Sequence, residues 1–421
     1  MAGDIDGLPY WEIRFDKDGK LLVDDGLRDD IKAGRVQQLF FMAHGWNNSV
    51  ASAQNLCHDL FSRLSRLLQQ FAPESHGSVG VVTVLWPSLV LPDDDPTHPA
   101  PAGAPTGAQA LAPVFPDQKD QLASLDHLID THPADPDQLE QAHHLISGLV
   151  TTPDAGAPED AGMGAVATAS TPVVFGHLES LAAPNTGDAQ SMGSMFSGLW
   201  SGAKQALRVA SYYEMKNRAG VVGQQGLGPL IGELQAAQPG LRVNLMGHSF
   251  GGRLVAFTLA GLPASAVGEA SPVKSLLLIQ AAFSHFAFAD PMPIPSPHKK
   301  GALADFRDRV DGPLLCTFSA FDLAVGRWYP ASSMINGDDA QSTNDLTYRW
   351  GAMGHDGYQG AGTEELVLEA VGKPYAVEKG KVYRLKSDAI ICSTAGQFGA
   401  HSDINHDEVV WASLGPAVAG G

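Results

Sequence analysis

The sequence predicts an α/β fold in which helices flank a doubly wound, mostly parallel β-sheet that is interrupted by an inserted helical cap. Short apolar runs recur along the chain, as expected of strands buried on both faces of a parallel sheet. Stretches with helical spacing of apolar residues separate them, and right-handed crossovers then bring the strands side by side. With 421 residues, 44% of them hydrophobic, the chain can bury one large core or two modest ones.

The N-terminal part predicts a hairpin followed by a strand, a helix and a second strand. Residues 8–15 alternate apolar and polar side chains, and a turn leads into the short run 21–23, which predicts a β-hairpin. The apolar runs 36–43 and 79–85 predict core strands. A helix over 52–71, with leucines repeated on one face, connects them and so predicts a parallel pair.

Beyond residue 89 the composition shifts to Pro, Ala and Gly, and the sheet pattern resumes only at Leu241. Two amphipathic helices are predicted over 117–129 and 136–149, followed by a small-residue loop over 151–170. We therefore interpret residues 90–200 as an insertion within a single domain spanning residues 1–421.

The insertion has two interpretations. Its helices either pack on the sheet like any others or form a lid over a site. In the second case Met195, Phe196, Leu199 and Trp200, which open a helix predicted to run through Tyr213, line a substrate channel or touch lipid. Packing within the protein is favoured over membrane contact, because apolar helical faces usually pack within their own protein.

The stretch 241–260 predicts a strand, a sharp turn and a helix, with Gly247-His-Ser-Phe-Gly251 at the turn. A serine hydroxyl is a poor nucleophile unless it is held beside a base and an oxyanion site, and a strained strand-to-helix turn achieves this. The N–H group of Phe250, near the helix N-terminus, then points to where an oxyanion forms. The alternative is a glycine-rich turn with an idle serine.

The C-terminal part predicts further strands at 273–280 and 313–318. Residues 330–362 read as an ordered surface excursion anchored by Tyr348, Trp350 and Tyr358. A last strand or hairpin is predicted from the runs 381–385 and 389–392, and a final helix is predicted over 407–418.

Ligands of doubly wound sheets bind beyond the C-terminal ends of the strands, so the residues just past each predicted strand are the site candidates. These are the run His44-Gly45-Trp46, then Ser249, Asp322 and a histidine near position 401. Asp322 has a simpler alternative role as the N-cap of a following helix. His406 is a rival to His401, but His401 lies in the loop, where the required reach is easier.

These motifs resemble the α/β-hydrolase superfamily. Residues 247–252 resemble its nucleophile elbow, His44-Gly45 its oxyanion loop, and 399–403 its histidine loop. The order Ser, Asp, His along the chain is also that of the superfamily. Within it, the H-G-W-N sequence at 44–47 is most similar to bacterial esterase- or lipase-like proteins.

The resemblance implies a role for each candidate. Ser249 attacks an acyl carbon, His401 transfers the proton and Asp322 orients the imidazole. The backbone N–H groups of Trp46 and Phe250 form the oxyanion hole. Three neighbours, His44, Gly45 and His248, border the substrate; for His44 a structural role is favoured over catalysis, and for His248 the simplest role is packing or hydrogen bonding within the elbow.

Composition excludes several other functions. A formal net charge of −19 disfavours nucleic acid as a partner. The histidines at 127, 132, 143 and 144 lack ligands at zinc-like spacing, so no metal is expected. The glycine-rich stretch 223–228 lacks a Walker lysine and a dinucleotide fingerprint, so no cofactor is expected.

The three cysteines and the N-terminus favour a cytoplasmic location. The cysteines at 57, 316 and 392 are far apart in sequence and are interpreted as reduced, buried thiols. The N-terminus has no basic and apolar leader, and no apolar segment is long enough to span a bilayer.

The expected function is hydrolysis of a small-molecule or lipid ester through an acyl-enzyme on Ser249. One fold hosts many chemistries, so two alternatives remain open. The first is a lipase or phospholipase with an interfacial lid. The second is a non-catalytic binding or scaffold protein that keeps the hydrolase architecture.

Overall fold

A computed structural model describes residues 3–88, 107–149, 170–182, 192–293, 299–328, 351–394 and 398–419. The chain divides into two compact units. The first comprises Met1–Ser88, Arg218–Tyr329 and Gly351–Gly421, and the second comprises Leu89–Asn217 and Pro330–Trp350.

Within the described residues, ten strands form one sheet in the first unit. In chain order they are β1 (Gly3–Ile5), β2 (Leu8–Phe15), β3 (Leu21–Val23), β4 (Gln38–Ala43), β5 (Val79–Leu85), β6 (Arg242–His248), β7 (Val273–Ile279), β8 (Leu314–Phe318), β9 (Glu364–Val367) and β10 (Val382–Lys386). The strand order is β1-β2-β5-β4-β6-β7-β8-β10-β9, with β3 paired to β2 off this path. Only β1 and β3 run antiparallel to their partner β2; the remaining pairs are parallel. The predicted α/β class with a mostly parallel sheet is confirmed.

The central strands are apolar on both faces because both faces are covered. All seven residues of β5 are buried, as are five of the six in β4. In β4, Gln38 is aligned with Val79 of β5 on one side and with Arg242 of β6 on the other. Such pairing in register brings the C-terminal ends of the parallel strands to one edge of the sheet.

Eleven α-helices lie in the described ranges. They are α1 (Leu27–Lys32), α2 (Val50–Phe71), α3 (Pro73–His76), α4 (Lys119–Thr131), α5 (Pro136–Leu149), α6 (Thr171–Ala182), α7 (Met192–Val221), α8 (Gly228–Ala237), α9 (Phe250–Gly261), α10 (Met353–Asp356) and α11 (Asp407–Ala419). None of these helices of the described ranges combines the length and the apolar character needed to cross a bilayer.

Helices α2 and α11 form much of the core on one face of the sheet. The Ser49 side chain caps α2 by accepting the Ser52 N–H at 3.0 Å, which is why the helix begins before the predicted residue 52. Leu64 of α2 and Val410 of α11 belong to the same buried cluster as strand residues such as Phe40. The predicted helices at 52–71 and 407–418 are therefore confirmed.

Six residues in a π-helical turn, Val222–Leu227, connect α7 to α8. Glycine is required there because a Cβ on Gly223 would lie 2.1 Å from the Leu254 carbonyl oxygen of α9. The glycine-rich stretch 223–228, which lacks a nucleotide-binding signature in the sequence, is thus a site of close helix packing.

The last predicted strand is confirmed, whereas its hairpin alternative and one expectation for the cysteines are wrong. The run 381–385 forms β10, which lies between β8 and β9 and is parallel to both, so it does not pair with the run 389–392 as a hairpin. The chain turns directly after it, where the N–H groups of Ile390 and Ile391 bond to the Ser387 carbonyl, at 2.9 and 2.8 Å. The prediction that all three cysteines are buried is also wrong. Cys57 and Cys316 are buried, but Cys392 is exposed on this turn.

In the second unit, α4 and α5 confirm the two predicted amphipathic helices to within two residues. Helix α6 was not predicted. Trp200 of α7 is fully buried, and its indole N–H donates to the Pro133 carbonyl at 3.0 Å. Phe196 and Leu199 are half-buried.

Parts of three predictions lie outside the described residues. These are the side chain of Met195, almost all of the loop over 151–170, and the anchors Tyr348 and Trp350 of the surface excursion. The third anchor, Tyr358, is buried; its hydroxyl donates to the Phe288 carbonyl at 3.2 Å.

Candidate active site

The turn between β6 and α9 holds Ser249 in a strained conformation. Its φ is 56° and its ψ is −122°, in the region that non-glycine residues avoid. Such a residue costs about 1–3 kcal/mol and persists only when its surroundings fix it. Here its N–H donates to the Ile279 carbonyl at 3.1 Å, and its carbonyl accepts the Ala282 N–H at 3.1 Å.

The flanking glycines let the turn sit tightly between strand and helix. A Cβ on Gly247 would lie 2.3 Å from the Gly251 carbonyl oxygen, and one on Gly251 would lie 2.0 Å from that of Ala43. Both positions therefore exclude a side chain, as the sequence pattern indicated.

Ser249, His401 and Asp322 form one hydrogen-bonded chain. The His401 Nε2 lies 2.9 Å from the Ser249 Oγ, and its Nδ1 lies 2.8 Å from the Asp322 Oδ2. An ionised carboxylate only accepts hydrogen bonds, so the imidazole proton belongs on Nδ1 and Nε2 is left to accept from the serine hydroxyl. Asp322 is fully buried and Ser249 is 6% exposed, so both ends of this hydrogen-bonded series are largely removed from water.

Backbone contacts tie the acid to the histidine. Asp322 forms an isolated antiparallel bridge with Gly399, and the Ala400 N–H donates to the Phe321 carbonyl at 2.9 Å. The Asp322 Oδ1 also accepts the Val325 N–H at 3.2 Å. The sequence offered two roles for Asp322, as partner of a histidine and as cap of the following helix. The carboxylate makes both contacts, because Oδ2 faces His401 and Oδ1 accepts the N–H of the following helical turn.

Sequence reasoning missed Gln280, which immediately follows β7. Its Nε2 lies 3.0 Å from the Asp322 Oδ2 and 3.0 Å from the Gly354 carbonyl oxygen. Its Oε1 accepts the Thr317 hydroxyl at 3.0 Å. The position past a core strand was a usable signal, but glutamine belongs to no catalytic motif, and its partner Gly354 is distant in sequence.

The loop at 44–48 lies against Ser249. A Cβ on Gly45 would lie 2.7 Å from the Ser249 Cβ and 3.2 Å from its Oγ, so only glycine fits there. The Asn48 side-chain amide donates to the carbonyls of Gly45 and Trp46, at 3.2 and 3.1 Å. The loop is thus held closed by its own asparagine.

His44 is part of the frame of this loop. It is 2% exposed, its carbonyl accepts the Trp86 indole N–H at 2.9 Å, and the two rings are stacked. Its Nδ1 lies 3.0 Å from the Gly45 carbonyl oxygen. Burial lowers the pKa of His44 to about 4, although that hydrogen bond favours the protonated ring.

Trp46 and Phe250, the residues assigned to the oxyanion hole, directly follow Gly45 and Ser249, which lie against each other. Trp46 follows Gly45 and is half-buried, whereas Phe250 follows Ser249 and is almost fully buried. Their rings are 6.4 Å apart between centroids. The contact between loop and elbow thus brings the backbones of Trp46 and Phe250 near the serine.

His248 supports the histidine loop rather than the serine. Its Nε2 donates to the His401 carbonyl at 2.8 Å, and the two rings are 4.9 Å apart. Burial, and next the neighbouring His401, lower the pKa of His248 to about 3. The ring is therefore neutral at physiological pH, and it carries its proton on Nε2.

The rival base His406 contacts a different carboxylate. Its Nε2 lies 2.8 Å from the Asp403 Oδ1, and the Asp403 Oδ2 accepts the N–H groups of Cys392 and Ser393 at 3.0 and 2.8 Å. This network fixes the loop that carries His401.

The histidines of the second unit make local contacts. His143 lies with its Nδ1 3.0 Å from the Thr171 hydroxyl, and the His132 ring is stacked on Trp200. Among the residues that the structure describes, no group of three or more His, Cys, Asp or Glu side chains could hold a metal ion.

A base that is hydrogen-bonded both to a hydroxyl and to a carboxylate can activate that hydroxyl as a nucleophile.

Comparisons of the chain with protein-family models, with curated proteins and with solved structures found no match.

Proposed function

We propose that the protein is a serine hydrolase of α/β-hydrolase architecture that cleaves carboxylic esters through an acyl-enzyme on Ser249. The observation that carries the proposal is the hydrogen-bonded chain from the Ser249 hydroxyl through His401 to Asp322. The strained elbow and the order of the three residues along the chain support it, because the same order and turn occur in the superfamily that the sequence resembles.

In the proposed reaction the Ser249 Oγ attacks the ester carbonyl carbon while the His401 Nε2 takes the hydroxyl proton. Asp322 stabilises the imidazolium through its hydrogen bond to Nδ1. The backbone N–H groups of Trp46 and Phe250 bind the oxyanion, and one such donor contributes about 3 kcal/mol to transition-state stabilisation. The carbon–oxygen bond to the alcohol then breaks, and the alcohol leaves with the proton from His401.

The second half of the reaction repeats these roles with water. His401 takes a proton from water, the resulting hydroxide attacks the acyl carbon, and the ester bond to Ser249 breaks as Ser249 regains its proton. The product is the free carboxylic acid. The proposed substrate is a small-molecule or lipid ester, and the proposal includes neither a metal nor a cofactor.

Labelling with a fluorophosphonate probe, mapped by mass spectrometry, tests the proposal. Ser249→Ala should remove all labelling, and it should lower kcat on activated esters by up to about 10⁶-fold, because the nucleophile is lost. Ser284→Ala is the matched control: Ser284 is a buried serine beyond the neighbouring strand β7, where its hydroxyl accepts the Phe286 N–H at 3.2 Å. That variant should label like the wild-type protein.

A well-folded wild-type protein that takes no label, or that is labelled equally after Ser249→Ala, would contradict the proposal. The first result would favour a binding or scaffold protein built on this architecture. With labelling at Ser249 established, hydrolysis of esters of increasing acyl length, below and above their critical micelle concentration, separates an esterase from an interfacial lipase.

A further inference from the structure

Gln280 is fully buried at the C-terminal end of β7, and each polar atom of its side chain is used. Its Nε2 donates to the Asp322 Oδ2 and to the Gly354 carbonyl, both at 3.0 Å. Its Oε1 accepts the Thr317 hydroxyl at 3.0 Å. A carboxylate and a carbonyl can only accept, so the amide group has one orientation that satisfies all three partners.

The backbone at this position is also unusual. Gln280 has a φ of 43°, in the left-handed region that favours glycine, and its N–H donates to the Thr317 Oγ at 3.0 Å. A non-glycine residue stays in this conformation only when its contacts fix it. The side chain is thus aimed at Asp322 by both its own hydrogen bonds and the local backbone.

The acceptor of Gln280 is the same oxygen that faces the histidine. The Asp322 Oδ2 receives Nδ1–H of His401 at 2.8 Å and the Gln280 amide at 3.0 Å, whereas Oδ1 receives the Val325 N–H at 3.2 Å. Without the amide donor, Oδ2 keeps only the histidine as a partner, and the carboxylate loses one of the three hydrogen bonds that fix its rotation.

We propose that Gln280 is a positioning residue for the acyl transfer: it holds the Asp322 oxygen that orients His401 toward Ser249. The inference rests on the proposed function. It assigns to a strand-end glutamine the task of keeping the carboxylate correctly rotated, because its amide donates to the same oxygen that faces the histidine.

The test compares Gln280→Met with Asn244→Leu in the full-length protein. Methionine keeps the unbranched shape of glutamine but has no N–H donor. Asn244 is the matched control, because it is a fully buried amide on β6 that accepts the Ser275 hydroxyl at 2.8 Å, towards the other end of the strand from Ser249. Urea unfolding of both variants measures how much stability each loses.

We expect Gln280→Met to lower the rate constant of fluorophosphonate labelling at Ser249 by about ten- to a hundredfold, the loss of one hydrogen bond to a charged group. Asn244→Leu should change it by less than about threefold. The downfield proton resonance of the His401 Nδ1–H should shift in Gln280→Met and stay unchanged in Asn244→Leu, because only the first variant alters the acceptor oxygen.

Gln280→Glu adds a readout that a purely structural role would not change. A second carboxyl group beside Asp322 raises the pKa of one member of the pair, and its protonated form can still donate a hydrogen bond. The ratio of its labelling rate to that of the wild-type protein should therefore fall as pH rises. The other titratable groups near Asp322 are His401, His248 and His355, whose Nδ1 lies 3.2 Å from the backbone carbonyl oxygen of Asp322. All three are common to both proteins.

The outcomes separate this inference from the proposed function. If the folded wild-type protein takes no label at Ser249, both are overturned. If the wild-type protein is labelled, and Gln280→Met is labelled at the same rate with an unchanged proton resonance, only the role of Gln280 is overturned. A rate ratio for Gln280→Glu that does not change with pH would also contradict it.

Discussion

Two histidines in the loop after β10 differ in what their imidazoles contact, and this separates their expected roles. His401 links Ser249 to Asp322, whereas His406 is bound to Asp403 at 2.8 Å. In the proposed reaction only His401 can exchange a proton with Ser249. His406 instead steadies the loop through a carboxylate that also accepts two backbone N–H groups.

Replacing His401 with alanine should therefore abolish turnover, with a loss of kcat comparable to that of Ser249→Ala. His406→Ala should lower the rate by no more than about tenfold, because it removes one support of the loop. Ester hydrolysis and fluorophosphonate labelling measure both effects. The reverse ranking would assign the base to His406.

Strand-end positions pointed to Ser249, Asp322 and a histidine near position 401, and the loop position of His401 favoured it over His406. The structure brings Ser249, Asp322 and His401 together, and their roles remain predictions. Those positions could not reveal Gln280. Its place depends on the pairing of β7 with β8, which brings Thr317 beside it, and on the turn at α10, which supplies the Gly354 carbonyl. Such contacts between distant segments leave no periodic pattern in the sequence.

At the scale of elements, the buried strands could be predicted, whereas the edge strands β1 and β9 could not. The runs that became β4, β5, β6, β7 and β8 are mostly apolar because both faces of the sheet are covered there. The edge strand β9, with the sequence Glu-Glu-Leu-Val, has no fully buried residue and resembles a loop in composition. The glycines at 223–228 lie in and directly after the π-helical turn between α7 and α8, where Gly223 allows close packing against α9.

Gly223→Ala tests that packing. Helix propensity alone predicts stabilisation by about 1 kcal/mol. The new Cβ would lie 2.1 Å from the Leu254 carbonyl oxygen and 3.0 Å from the Thr258 nitrogen, so α9 would have to move. We expect a loss of about 1–3 kcal/mol in the free energy of unfolding, measured in urea.

The matched control is Gly77→Ala. Gly77 has the helical dihedrals φ −71° and ψ −8°, and its added Cβ would meet nothing within 4 Å. This variant should be neutral or more stable by up to about 1 kcal/mol. Stabilisation by Gly223→Ala of similar size would show that α9 yields at no cost.

At the scale of the whole molecule, two buried histidines should make folding sensitive to acid. The pKa values of His44 and His248 are lowered to about 4 and about 3, whereas an unfolded chain binds these protons near pH 6.5. The unfolded state therefore binds more protons over this window, so stability falls as pH decreases. At pH 4 the loss is about 3 kcal/mol for each histidine.

Urea unfolding between pH 7 and 4.5 measures this dependence. His248→Asn should reduce the slope of the unfolding free energy against pH by about one proton, whatever the stability of the variant. Asp311, Asp403 and Asp407, whose pKa values are lowered by their hydrogen-bonded partners despite partial burial, add their own loss at lower pH. An unchanged slope in His248→Asn would show that this histidine already binds a proton in the folded protein.

The order of the sheet separates the chain into two sets of strands that meet at one pair. Among the described strands, β1 to β5 lie on one side of the β4–β6 pairing and β6 to β10 lie on the other. Ser249, Asp322 and His401 all belong to the second set, whereas Gly45 belongs to the first. A single break in the backbone between residues 88 and 241 thus yields one fragment with Ser249, His401 and Asp322 and another with the loop that lies against Ser249. The architecture therefore suits a split version of the proposed hydrolase, in which reassembly of two polypeptides along β4 and β6 is read out as recovered labelling of Ser249.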